Sequence, residues 1–359
     1  MIPFTYEGLP ARVIFGSGTL DQVGSEVERL GCKRVMVIST PQQAAEAERI
    51  AKQLGAAHGV TYTGAVMHTP VDVTEHAMTL VRDEKIDGTV AIGGGSTIGL
   101  GKAIALRTDL PQLVIPTTYA GSEMTPILGQ TENGQKTTQR THKVLPETVI
   151  YDVDLTLTLP ARMSVVSGLN AMAHAVEALY ATNANPVISM MAESGIAALY
   201  RGLPKLSAAP DDLEARSDAL YGAWLCAVCL GASNVALHHK LCHVLGGSFD
   251  LPHAETHAII LPHALAYNAP VTRDAVDAIK RALGGGGGIA GKLYDIALNA
   301  GAPVALRDIG MPKDGIDRAL EVVMANPYAN PRPIDPAVIR RLLVNAWEGV
   351  RPDHSTYAA

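Results

Sequence analysis

The stretch GTVAIGGGSTIGLGKAIAL, Gly88–Leu106, changes its period in the middle. Gly88–Ile92 is a short apolar run of strand type, and Thr97–Leu106 reads as a helix. Between them stand Gly93, Gly94, Gly95 and Ser96. A strand that runs through glycines into a helix is the βα unit of a parallel sheet. Glycines let main chain approach a pyrophosphate closely, and the N–H groups and dipole of the helix start then hold the anion. Ser96 can cap that helix or bond to the phosphate. The spacing is not GxGxxG, because Gly99 and Gly101 fall inside the helix, so a plain sharp turn is the competing reading.

Upstream, Arg34–Ser39 (RVMVIS) is a continuous β-branched run and reads as a buried parallel strand. Ala11–Phe15 and Val60–Tyr62 read as further strands, and Thr19–Leu30, Gln42–Leu54 and Val73–Asp83 as helices. Downstream follow a strand at Gln112–Ile115 and a hairpin around Asn133–Gly134. This alternation predicts an α/β domain over residues 1–158, built on a doubly wound parallel sheet. From Pro160 the pattern is helical nearly throughout, with Val165, Leu169, Met172, Val176 and Leu179 at helical steps. Residues 159–359 are therefore expected to form an all-α domain. Gly246–Gly247 is expected to end a helix over Ala236–Leu245, and Gly284–Gly288 to form a loop ahead of a helix.

Composition narrows the function classes. A length of 359 residues favours two domains, and a charged fraction of 18% with 47% hydrophobic residues points to extensive buried helix contacts. The net charge of −6, with Lys and Arg scattered, offers no basic patch for nucleic acid or an anionic membrane. Met1–Gly8 lacks a signal-type apolar core, and the longest apolar run, Tyr221–Ala232, is far short of the ~20 residues of a membrane span. Cys226 and Cys229 form a CxxC inside an apolar helical run, which reads as packing. The expected compartment is a reducing cytoplasm.

A second loop, Pro116–Glu123 (PTTYAGSE), follows strand Gln112–Ile115, at the strand end where doubly wound sheets bind ligands. Candidate dinucleotide contacts are Gly94, Gly95 and Ser96 in the glycine turn and Thr117, Thr118 and Ser122 here. Ser39 and Thr40 end the Arg34–Ser39 strand, with no acid there to grip a ribose, so NADH and NADPH both stay open.

In the helical half, six of twelve histidines fall between His238 and His263. Asn170 and His174 stand four apart on one helix face, as do His239 and His243, and His253 follows in a loop. Two such pairs and a loop histidine can build a four-ligand metal site between helices. They can equally be a catalytic cluster without metal, since Asn170 is neutral and the set is a poor home for iron.

These residues resemble the iron-containing alcohol dehydrogenase superfamily, of dehydroquinate synthase-like architecture, and within it the maleylacetate reductase branch. TTYAGSEMTPI (117–127) and SGLNAMAHAVEALYA (167–181) carry the resemblance most specifically. It implies that Asn170, His174, His239 and His253 occupy the places of an Asp and three His that bind an ion in metal-dependent relatives. His243 matches a further active-site histidine, and Lys136 a cofactor-contacting lysine. Gly99 replaces an Asp, and Lys102 keeps its place. Both missing acids point to the branch without the acidic ligand.

The resemblance implies reduction of 2-maleylacetate to 3-oxoadipate with NADH, NADPH being the alternative donor, in the bacterial breakdown of aromatic compounds. Attack at the alkene of a conjugated ketone gives a delocalised enolate, which hydrogen-bond donors can stabilise, so a metal is expected to be dispensable. His243 is then the first choice for general acid and His253 the second. Lys240, Lys102 and Arg332 are candidates for the substrate carboxylates, and a homodimer is expected. A Zn- or Fe-dependent alcohol or aldehyde dehydrogenase and a non-catalytic dinucleotide-binding protein are the alternatives.

Overall fold

The computed structural model describes residues 4–9, 11–132, 135–353 and 355–357, and the side chains of Gln135 and Lys136 lie outside that description. The chain divides into two compact units. One spans Gly8–Leu159; the other spans Pro160–Ala359 together with the residues preceding Gly8, which the sequence pattern had assigned to the α/β half.

In the first unit, strands β1 (Arg12–Gly16), β2 (Val35–Ile38), β3 (His58–Tyr62), β4 (Gly88–Gly93), β5 (Gln112–Pro116) and β8 (Thr148–Asp152) form one sheet in the order β1-β8-β5-β4-β2-β3. All its pairings are parallel. Strands β6 (Ile127–Glu132) and β7 (Gln135–Arg140) make a separate antiparallel pair, whose turn at 133–134 lies outside the described residues. Four helices complete the unit: α1 (Val23–Arg29), α2 (Ala44–Leu54), α3 (Val71–Asp83) and α4 (Gly95–Thr108). Every residue of β2, β4, β5 and β8 is buried, which is why these strands read as unbroken apolar runs.

Alternate residues feed two cores. Val35, Val37, Val90, Ile92, Leu113 and Ile115 join Ala47, Ile50 and Leu54 of α2 on one face. Met36, Ile38, Ala91 and Val114 join Ala77 and Met78 of α3 and Ile98, Leu100 and Ile104 of α4 on the other. Helices α2 and α4 thus leave adjacent strands β2 and β4 for opposite faces. That is the topological switch point, where a crevice opens at the carboxyl ends of the strands. Strand β8, which sequence periodicity did not single out, lies between β1 and β5 and closes the sheet on that side.

The second unit contains α5 (Ala161–Ala178), α6 (Pro186–Ala208), α7 (Leu213–Ala232), α8 (Leu237–Phe249), α9 (His253–Asn268), α10 (Arg273–Ala282), α11 (Ile289–Asn299), α12 (Gly315–Ala325) and α13 (Pro336–Glu348). Side chains cap several of these: Asp212 accepts from Glu214 and Ala215 N–H, and Asp335 from Ala337 and Val338 N–H. Helices α6 and α7 approach through glycine, since a Cβ on Gly202 would stand 2.7 Å from Ala215 O and one on Gly222 2.8 Å from Gly195 O. Helix α9 is buried continuously from Thr256 to Asn268, so it lacks a polar face. No single helix among the described residues is long and apolar enough to cross a membrane.

Two expected boundaries move. Helix α8 runs through Gly246 and Gly247 to Phe249 and stops at Asp250, whose left-handed backbone (φ 52°) ends it. His253 is the first residue of α9 rather than a loop residue. Glycines 284–288 do form the connection ahead of α11.

Candidate active site

At the switch point each glycine of the turn has its own reason. Gly93 adopts φ +145°, and a Cβ there would meet Gln43 Oε1 and Thr97 Oγ1 at 2.6 Å each. A Cβ on Gly94 would stand 3.0 Å from Thr118 Oγ1, whereas Gly95 has no neighbour within 4 Å. No side chain caps α4, so the capping role open to Ser96 is not taken. Open space at Gly95 over an uncapped helix start is a fit for a dinucleotide phosphate. Thr97 Oγ1 is buried without a partner beside this turn.

The two flanking strand ends are tied together. Gln43 donates through Nε2 to Thr117 Oγ1 at 2.8 Å, linking the turn after β2 to the loop after β5. Gln43 was not singled out by pattern, because one Gln in a βα turn carries no period. Ser39 is fully buried and donates its hydroxyl to Thr40 O (3.1 Å), so its side chain is not presented to a ligand; Thr40 is half-buried. The side chain of Lys136, on β7, lies outside the described residues.

Lys102 does not serve as a substrate anchor. It is fully buried on α4, and its ammonium donates to Ser122 O (2.6 Å), Thr125 O (2.6 Å), Thr125 Oγ1 (3.0 Å) and Ile127 O (2.9 Å). Burial pulls this ammonium down to about 7, opposed by the charge of Glu123. Glu123, itself fully buried, accepts the Tyr151 hydroxyl at 2.9 Å.

The helical unit brings its histidines together. On α5, Asn170, His174 and Glu177 are all buried, and on α8 so are His238 and His239. The His174 and His239 rings stack at 5.3 Å, and His239 lies 6.0 Å from His243. His253 packs on His257 at 4.3 Å, and His257 reaches His174 at 6.4 Å. The cluster therefore contains every histidine predicted for the site, plus His238 and His257. His243 and His253 are its exposed members.

Glu177 organises this cluster and was missed in the sequence, although it stands one turn after His174 as a lone acid in an apolar run. It accepts from Ala236 N, His238 N and His239 Nδ1, each at 2.7 Å. One carboxylate so satisfies the start of α8 and sets the His239 tautomer. Because a carboxylate only accepts, Nδ1 of His239 carries a proton, and Nε2 is buried without a partner. His174 Nδ1 and Asn170 Oδ1 are likewise buried and unpartnered. Burial, reinforced by the neighbouring His239 and His253, pushes His174 well below the usual histidine range.

With His253 these atoms are of the donor type that zinc takes, neutral imidazoles and an amide oxygen, but among the described residues only His238, Cys242 and His257 bring their ligand atoms within 4.8 Å of one another. The absence of a carboxylate from the four makes them a weaker fit for ferrous iron. In the separate buried trio, His238 Nε2 and His257 Nδ1 already share a hydrogen bond at 2.9 Å, closer than the roughly 3.3 Å between nitrogens on a tetrahedral zinc.

Two more cations are expected from the sequence to meet the substrate carboxylates. Arg332 donates to the carbonyls of Tyr267 and Tyr357, both at 2.9 Å, and stacks on the Tyr267 ring at 4.5 Å, so it ties chain segments together. Lys240 is buried with its ammonium 5.2 Å from the Tyr328 ring, and no ion pair engages it among the described residues. Tyr328 bonds to His243 Nδ1 at 3.2 Å, which places Lys240 and His243 on the same phenol. The CxxC thiols are buried in α7, where burial pushes Cys229 up to about 12, so neither is a reactive thiolate.

Comparison with known proteins agrees with both halves. Residues 10–153 match the iron-containing alcohol dehydrogenase family model, and residues 164–347 match the C-terminal model of the Fe-containing alcohol dehydrogenase family. The chain is 56% identical to a maleylacetate reductase of Sphingobium indicum over 97% of its own length and 99% of that protein. A solved putative alcohol dehydrogenase from Ralstonia eutropha superposes with a TM-score of 0.97 at 58% identity, over 98% of this chain and all of that one. The maleylacetate reductase of Agrobacterium tumefaciens does so with a TM-score of 0.95 at 53% identity, again over 98% of this chain and 100% of that one. The chain is thus an oxidoreductase that belongs to the iron-containing alcohol dehydrogenase family and, within it, to the maleylacetate reductases.

Proposed function

We propose that this chain reduces the conjugated double bond of 2-maleylacetate to give 3-oxoadipate, with NADH as the first-choice donor and NADPH as the second. The observation that carries the reading is near-full-length similarity to maleylacetate reductases at 56% and 53% identity. When bound, the dinucleotide supplies a hydride to the alkene carbon β to the ketone. The residues for it are Gly94, Gly95, Ser96, Thr117, Thr118 and Ser122, around the uncapped start of α4.

The remaining work falls to the helical unit. Electrons displaced from the alkene collect on the ketone oxygen as an enolate, and a proton is then delivered to the carbon α to the ketone. His243 suits that delivery. Burial raises the Tyr328 phenol, so it stays protonated beside His243 Nδ1, and in the tautomer that accepts this proton Nε2 is the N–H edge. His253 is the second choice. Lys240 supplies a cation for one carboxylate of the substrate. Good donors to an enolate contribute ~2.7–4 kcal/mol each, so the reaction is read as independent of metal. An ion held by Asn170, His174, His239 and His253 would add Lewis-acid polarisation of the ketone.

The orphaned oxygen of Asn170 and nitrogens of His174 and His239 favour a second reading, a Zn-dependent alcohol or aldehyde dehydrogenase. The two separate in one assay. Maleylacetate-dependent NADH oxidation is expected to survive exhaustive chelation and to exceed turnover of simple aldehydes; activity lost on chelation and restored only by Zn or Fe would overturn the metal-free reading. Four free, buried cysteines are compatible with a reducing cytoplasm, and a homodimer is the proposed assembly, to be checked by sedimentation.

A further inference from the structure

We propose that Lys102 is a positioning residue of the dinucleotide site, holding the Ser122–Ile127 segment so that the loop before it is set against the glycine turn. The inference rests on the reading that Gly94–Ser96 and Thr117–Ser122 receive the dinucleotide. Helix α4 begins with the glycine turn, and Lys102 follows two turns later on the same helix. Its four acceptors all come from Ser122, Thr125 and Ile127.

Apolar packing alone would not select a lysine here. Burying an ammonium costs several kcal/mol unless oxygens replace its water, and a methionine fills similar space without that cost. Three main-chain carbonyls turned toward one ammonium imply that the segment takes its shape from the charge. Ser122 is held through its carbonyl, which directs the half-buried hydroxyl and the Thr117–Gly121 backbone leading into it. Glu123 of the same segment is anchored separately by Tyr151. One helix thereby presents an anion-binding turn at its start and sets the second ligand loop from its side. A change at Lys102 is thus expected to act on the dinucleotide rather than on the histidine cluster.

The test is fluorescence titration of NADH into the full chain and its Lys102→Met, Lys102→Arg and Thr125→Val variants, alongside steady-state kinetics. Lys102→Met is expected to raise the Kd and KM for NADH tenfold or more, while kcat at saturating NADH stays within about threefold and KM for the substrate is unchanged. Lys102→Arg is expected to recover part of the affinity. Thr125→Val, which removes one of four acceptors and keeps the charge, is expected to raise Kd two- to fivefold. A Lys102→Met protein that is folded, less heat-stable and unchanged in NADH affinity would overturn the proposal. Should Lys102→Met fail to fold, unchanged NADH affinity in Thr125→Val overturns it instead. Wild-type protein that does not bind NADH at all overturns the dinucleotide reading itself, a separate result.

Discussion

The glycine turn and the histidine cluster are built by opposite means. The turn is contiguous in sequence and works through main chain. Gly93 is there because its backbone and surroundings exclude a side chain, Gly94 is tight against Thr118, and Gly95 leaves open space. The cluster draws side chains from three helices, and its order depends on a residue that does none of the expected chemistry, Glu177. A main-chain site announces itself by the residue it requires at each position. A side-chain site shows its spacing in the sequence, while the hydrogen bonds that orient it stay hidden.

The strongest way to break this contrast is at Glu177. Glu177→Gln keeps the shape but loses the charge-assisted bond that sets the His239 tautomer, and it is expected to lower kcat 10- to 100-fold with the NADH Kd unchanged. An unchanged kcat in a folded variant would show that the cluster orients itself. The second expectation separates the glycines. Gly95→Val, at a position with open space, is expected to weaken NADH about tenfold with little loss of stability. Gly93→Val, strained at φ +145° and in contact with Gln43 and Thr97, is expected to lose stability by 1–3 kcal/mol or more, on the order of an overpacked core. Equal NADH affinity in wild type and Gly95→Val would mean the open space is not used.

Gly99 tests the boundary between the two kinds of site. A Cβ there would lie 2.3 Å from Thr69 Oγ1, and Thr69 itself sits at φ +46°, an uncommon conformation for a β-branched residue. Gly99→Asp is expected to cost about 1–3 kcal/mol in thermal or urea unfolding, and adding Thr69→Gly is expected to recover much of it. Full stability in the single variant would show that the Thr69 loop yields freely.

The last expected effect is on acid stability. Burial lowers His263 to about 3, and its Nδ1 bonds to the Tyr357 hydroxyl at 2.7 Å. The unfolded chain binds this proton near pH 6.5 and the folded chain only near 3, so the group leaves stability untouched above about 6.5 and removes it as pH falls toward 3. At pH 5 the loss from this residue is about 2 kcal/mol. Urea midpoints taken from pH 7 to pH 5 are expected to fall less steeply in His263→Leu than in the wild type. Parallel slopes would rule out His263 as a contributor.

Periodicity made most of the α/β unit legible because strands buried on both faces have no polar positions to blur them. Strand β8 escaped, although Val149, Ile150 and Tyr151 are of strand type, because its role depends on partners far away in sequence, β1 and β5. The extension of α8 through Gly246 and Gly247 was hidden as well, since a glycine pair usually marks a helix end and here Asp250 supplies the left-handed residue. Spacing correctly brought Asn170, His174, His239, His243 and His253 into one unit. It did not separate the buried members from the exposed ones, nor did it add His238 and His257, whose rings pack on His239. Among the cations, Lys102, Arg332 and Lys240 look alike in sequence and differ in what oxygen or ring receives them.

The sequence by itself determined the alternation of strand and helix, the place of the glycine turn and the helical faces that carry the histidines. These are local properties, set by side-chain volume, period and the conformational freedom of glycine. Only the tertiary structure decided which polar groups were already satisfied. A hydrogen bond consumes a lone pair or a proton, and its partner can come from anywhere in the chain. Glu177 fixing His239, four oxygens enclosing Lys102 and two carbonyls holding Arg332 are decisions of that kind.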